Sequence, residues 1–109
     1  MRASLALAVG AAAAVTLATV ADARRYPDCG TIRFSGATTH IVVLRGTTCA
    51  TARRVARRYD RGQPTRPWQC FLAHAPFRKV NGRRVGFSCG YGTGGSNVAS
   101  RSHAFVGTL

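Results

Sequence analysis

Over residues 47–61 the apolar positions Cys49, Ala52, Val55, Ala56 and Tyr59 recur at three- and four-residue spacing, the period that gathers side chains on one side of an α-helix. Arg53, Arg54, Arg57, Arg58 and Arg61 fall on the opposite arc. Thr47 or Thr48 can cap the N-terminus, and Gly62 can end the helix. Upstream the pattern becomes extended, with strands predicted over 31–34 and 39–45, broken at Ser35-Gly36. The second run, THIVVLR, is β-branched and apolar enough for an interior strand, and Tyr26 to Gly30 read as a turn-rich lead-in. Downstream, Pro64 and Pro67 disfavour helix and central strand alike and predict a loop over 63–67. A strand is expected over 68–74. Asn81-Gly82 then signals a hairpin, since both residues tolerate positive φ, and a returning strand covers 83–89. Residues 102–106 predict a short last strand.

Together these elements predict an α+β fold, a small antiparallel or mixed sheet of three to five strands with one packed helix, stapled by two disulfides. The N-terminus has a different pattern. After Arg2 comes an uncharged, Ala-rich run over 5–20, followed by Ala21-Asp22-Ala23, the small-x-small arrangement a signal peptidase accepts. Residues 1–23 are expected to be a secretory signal peptide, and 24–109 one small secreted domain with a flexible Gly-rich segment at 90–101. The apolar run is shorter than the roughly 20 residues that span a bilayer, so no transmembrane segment is expected in the mature form. Cys29 follows Tyr26-Pro27-Asp28 rather than the small residues, which argues against a lipid anchor. The expected location is extracellular or in the cell envelope.

Export changes the reading of Cys29, Cys49, Cys70 and Cys89. They are about twenty residues apart with no Cys-x-x-Cys, so disulfides are expected and a metal is not. Three pairings are open. If the helix connects two parallel strands through a right-handed crossover, Cys29 and Cys49 share one end of the sheet, while Cys70 and Cys89 belong to the hairpin at the other. That topology favours Cys29–Cys49 and Cys70–Cys89. A two-residue turn at Asn81-Gly82 would set Cys89 opposite His74, so the second bridge requires a bulge or a looser hairpin.

The stretch Leu44-Arg45-Gly46-Thr47-Thr48-Cys49, the helix Ala50-Thr51-Ala52-Arg53-Arg54-Val55-Ala56-Arg57, the Trp68-Gln69-Cys70 tripeptide and a last Cys near Phe87 resemble a group of small exported cysteine-containing proteins common in actinobacteria. The resemblance covers about 29–90 and rests on a Cys-x-x-Ala-Arg helix followed by Trp-x-Cys. It implies export and a disulfide-stapled α+β module, and it transfers no catalytic residue.

Charge narrows the function. The 109 residues hold 16 Lys plus Arg against three acids, Asp22, Asp28 and Asp60, a formal charge of +13. With no Glu and few carboxylates there is little material for acid–base catalysis or Ca²⁺ binding. The helix arc of Arg53, Arg54, Arg57, Arg58 and Arg61 is the main candidate site, because guanidinium groups grip phosphate bidentately and sum to a strong positive field. Arg66, Arg78, Lys79, Arg83 and Arg84 form a second expected cluster around the hairpin tip. The rival explanation for both is an Arg-rich coding bias, consistent with 15 Arg to one Lys.

The expected function is therefore a non-enzymatic basic binding module for a polyanion: an envelope polymer, nucleic acid or anionic lipid head groups. No cofactor is expected. Nucleic acid would call for exposed aromatics among the charges, whereas Tyr59 and Trp68 are expected to pack in the core. The helix is too Ala-rich on its apolar face to bury in lipid. The alternatives are a protein-directed module, such as a protease inhibitor or surface adhesin, and a small secreted nuclease using His40, His74 or His103 with Lys79.

Overall fold

A computed structural model describes residues 25–72 and 79–109. The signal-peptide assignment, together with His74, Phe77 and Arg78, lies outside the described residues. Strand β1 (Asp28–Phe34) begins three residues earlier than expected and turns through Ser35 (φ 50°) and Gly36 (φ 79°) into β2 (Ala37–Arg45). Two successive positive φ values make the tight turn whose twist matches paired strands. Helix α1 (Cys49–Asp60) follows. The Thr48 hydroxyl accepts a hydrogen bond from Thr51 N–H at 3.2 Å, capping the first turn. At the other end Gly62 N–H donates to Tyr59 O and Gln63 N–H to Arg58 O, with Gly62 at φ 70°, so a Schellman motif closes the helix.

The remaining strands are β3 (Gln69–Leu72), β4 (Lys79–Val80), β5 (Arg83–Tyr91) and β6 (His103–Thr108). Every pairing is antiparallel, in the order β1-β2-β6-β5-β3, with β4 also paired to β5. The α+β class and the packed helix match expectation, while the described residues form six strands rather than the three to five expected. Three antiparallel steps separate β2 from β3, so these strands run in opposite directions and no parallel crossover exists. Helix α1 instead runs back along β1, from the Cys29–Cys49 bridge to the hairpin tip, where the Asp60 carboxylate accepts Ser35 N–H at 2.8 Å. The loop after α1 must then retrace the sheet to reach β3.

Both expected bridges form, Cys29–Cys49 and Cys70–Cys89. They do not sit at opposite ends of the sheet. Asp28 pairs with Val42, while Val43, Phe105, Cys89 and Cys70 occupy one continuous rung, so the bridges lie at nearly the same height on opposite edges. The register problem at Cys89 is resolved between β3 and β4. Asn81-Gly82 is a two-residue turn (φ 52° and 78°) with Val80 opposite Arg83, yet Cys70 lies opposite Cys89. Leu72 pairs with Phe87 and Lys79 with Arg84, so six positions of sequence separate these pairs on one side and two on the other, and that surplus of four shifts the register by two full pleat periods.

On one face, Ile41, Val43, Phe87 and Phe105 pack against Ala52, Val55 and Ala56 of α1, with Ile32 and Trp68 at the margins. Phe87 stacks on Phe34 at 4.3 Å and meets Phe105 edge-on at 6.3 Å between ring centroids. Gly107, cross-strand from Phe87, makes room for that ring: a Cβ there would lie 2.1 Å from it. The other face carries Val42, Val85 and Val106, with Leu44 and Val80 against them. Residues 90–101, expected to be a flexible Gly-rich segment, hold built structure. Gly90 and Tyr91 belong to β5, Val98–Ser100 forms a 3-10 turn with Val98 buried, and Arg45 donates to Ala99 O and Arg101 O at 2.8 Å.

Candidate anion-binding face

Helix α1 buries Ala52, Val55 and Ala56 and turns Arg54, Arg57 and Arg58 outward, with Arg61 exposed at its C-cap. Positive charge in the last turn suits the helix dipole. Arg53 departs from the arc. The residue is half-buried, and its guanidinium donates to Cys29 O at 3.0 Å and Thr31 O at 3.1 Å. Those carbonyls flank Gly30, whose φ of 85° forms the bulge that interrupts β1. Arg53 therefore ties the helix to the edge strand beside a disulfide, and Gly30 is the residue that turns both carbonyls toward it.

The acids do not relieve the arc. Asp60 is engaged with Ser35 N–H, and Asp28 accepts Gly30 N–H while pairing with His40 at 3.0 Å and Arg83 at 3.5 Å. Burial by itself would raise the Asp28 carboxyl, but the Gly30 N–H, His40 and the Arg83 charge outweigh it and hold the pKa below the ordinary 3.8. The side chains of Arg54, Arg57 and Arg61 make no hydrogen bond or ion pair among the described residues.

The second expected cluster is divided. Arg66 belongs with the helix, not with the hairpin. Arg54, Arg58 and Arg66 line a cleft of about 310 Å³ between α1 and the returning loop, with Val55 and Trp68 behind them and Pro64 and Pro67 at the rim. Arg58 reaches across it to Pro64 O at 3.5 Å. Arg83 is drawn to Asp28 beside His40, on the face away from α1, while Lys79 and Arg84 lie opposite one another on the β4–β5 hairpin. Arg66 is expected from the sequence around the hairpin tip; the loop that follows α1 brings it back to the helix instead.

The aromatic side chains are used internally. Tyr59 packs between Phe34 and Phe87, and its burial raises the phenol pKa. Trp68 is buried edge-on against Tyr91 and Phe105. Phe71 is exposed, but it pairs with Ser88 in the rung that carries Val106 and Val42, on the face away from α1. His40 faces Thr108 at one end of β6, and His103 stands at the other, stacked on Tyr91 at 4.1 Å and joined to the Ser102 hydroxyl at 3.0 Å. The two are roughly 17 Å apart by strand rise, too far to share a proton transfer. Among the described residues no cluster of His, Cys, Asp or Glu could hold a metal, and no helix is long and apolar enough to cross a membrane. No protein-family model, curated protein or solved structure matches this chain.

Proposed function

We propose that the protein is an exported, non-enzymatic module that binds anionic polymers outside the cell through the outer arc of α1. The observation that carries this reading is the exposed set Arg54, Arg57, Arg58 and Arg61 on a rigid helix, while Asp28 and Asp60 are engaged elsewhere. Converging cations without counter-ions repel one another, and a polyanion offsets that repulsion by releasing its own condensed ions. Two disulfides suit an oxidising setting; Cys29–Cys49 fastens the helix start to β1, and Cys70–Cys89 joins β3 to β5.

The test is salt-dependent binding to duplex DNA and retention on heparin. Changing both Arg57 and Arg61 to Ala should lower the magnitude of the log–log salt slope by roughly 2, one phosphate contact per residue. An unchanged slope would remove the helix from the binding surface. A second, protein-directed reading is favoured by Phe71 and Leu72, 57% and 56% exposed on edge strand β3. An unpaired strand edge with apolar side chains can add a partner's strand. Such binding would vary little with salt and would fall with Phe71→Ser.

A further inference from the structure

We infer that the cleft between α1 and the proline-bounded loop is a discrete subsite for a phosphomonoester carried on a sugar or small polyol. This deepens the polyanion reading and rests on it for the supply of such groups. Arg54 and Arg58, one helical turn apart, form one wall, and Arg66 stands on the loop between Pro64 and Pro67. Among the described residues no acid lines the cleft. Three guanidiniums offer more directed donors than a carboxylate can accept, and they suit the three terminal oxygens and double charge of a phosphomonoester.

The site is held open before any ligand arrives. Prolines restrict the loop backbone, Trp68 N–H donates to Thr65 O at 2.9 Å, and the Thr65 hydroxyl donates to Trp68 O at 2.9 Å. The contact from Arg58 to Pro64 O positions one guanidinium and leaves its other donors available. At about 310 Å³ the cleft stands at the small end of ligand pockets, roomier than a bare ion needs. Val55, Pro64 and Pro67 supply apolar wall for a carbon skeleton. Nucleobase recognition does not fit, because Trp68 is 7% exposed and its ring is occupied by Tyr91 and Phe105.

Trp68 is the single tryptophan and lines the cleft, so its fluorescence reports occupancy. The experiment titrates the oxidised full chain with ribose 5-phosphate, glycerol 3-phosphate, inorganic phosphate and free ribose. The two esters should bind about tenfold more tightly than inorganic phosphate, and ribose should give no signal. Arg66→Ala and, from the other wall, Arg54→Ala should each weaken the esters about tenfold, the loss expected for a charge-assisted contact. Lys79→Ala, on the β4–β5 hairpin, should leave them unchanged. Equal affinity for ester and inorganic phosphate, or ester binding indifferent to both Arg54 and Arg66, would overturn the inference. Heparin retention separates the two ideas. If it depends on Arg57 and Arg61 while the esters fail to bind, the polymer surface stands without the subsite. If the esters bind and heparin does not, the subsite stands and the polymer surface falls.

Discussion

Under α1 the sheet presents Ile41, Val43, Phe87 and Phe105 to Ala52, Val55 and Ala56, whereas its other face carries Val42, Val85 and Val106 with the Asp28–His40–Arg83 group at their side. The first face is held by volume: interlocked rings, a glycine that yields space to one of them, and the end of a helix pinned to a hairpin tip. The second is held by small β-branched side chains and by charges that respond to pH. A domain this small has little apolar area to spare, so the two faces should fail differently.

The largest effect is expected from Phe87→Ala, which removes the ring that joins Phe34, Tyr59 and Phe105. Urea unfolding should show a loss of about 3–5 kcal/mol, against about 2 kcal/mol for Val42→Ala on the other face. Comparable losses would mean that the faces do not differ as described. Replacing Cys70 and Cys89 by Ser opens a loop of 19 residues and should cost about 3 kcal/mol, read as a fall in the denaturation midpoint.

Thr108 lies on the second face, cross-strand from His40, and its buried hydroxyl oxygen has no hydrogen-bond partner among the described residues. Thr108→Val should stabilise the protein by about 1 kcal/mol, since it removes an unmet polar group at nearly constant volume. A destabilised variant would show that the hydroxyl is satisfied. The smallest effect concerns Asp28. Its depressed pKa means that its contribution is fully present above the ordinary carboxylate value of 3.8 and is lost as pH falls through the lower folded-state value. Because the pair is substantially exposed, the contribution should stay below about 1 kcal/mol. Asp28→Asn should abolish that part of the acid sensitivity, and an identical pH profile in the variant would reject it.

Much of this was legible residue by residue. The capped helix from Thr48 to Gly62 and the turns at Ser35-Gly36 and Asn81-Gly82 follow from local preference and pattern. The expected cysteine pairing forms although the parallel crossover that favours it is absent from the fold. It survived because the pairing requires only that Cys29 lie near the helix start and Cys70 beside β5, and two different topologies meet that requirement. Of the expected helix arc, Arg54, Arg57, Arg58 and Arg61 are exposed and Arg53 is not. Its angular position adjoins the buried side, and whether it is free depends on two carbonyls 24 and 22 residues away in the chain.

Local chemistry in the chain determined its turns, its one helix, which side of that helix is apolar and the surplus of positive charge. Only the folded structure decided that the last strand enters the middle of the sheet, that four residues of register are lost before Asn81-Gly82, and that Arg66 faces Arg54 and Arg58 across a cleft. The reason is physical. A residue's torsions and face are set by its neighbours in the chain, but its strand's partner is set by which hydrogen-bonding edges and apolar faces the rest of the molecule leaves to be covered.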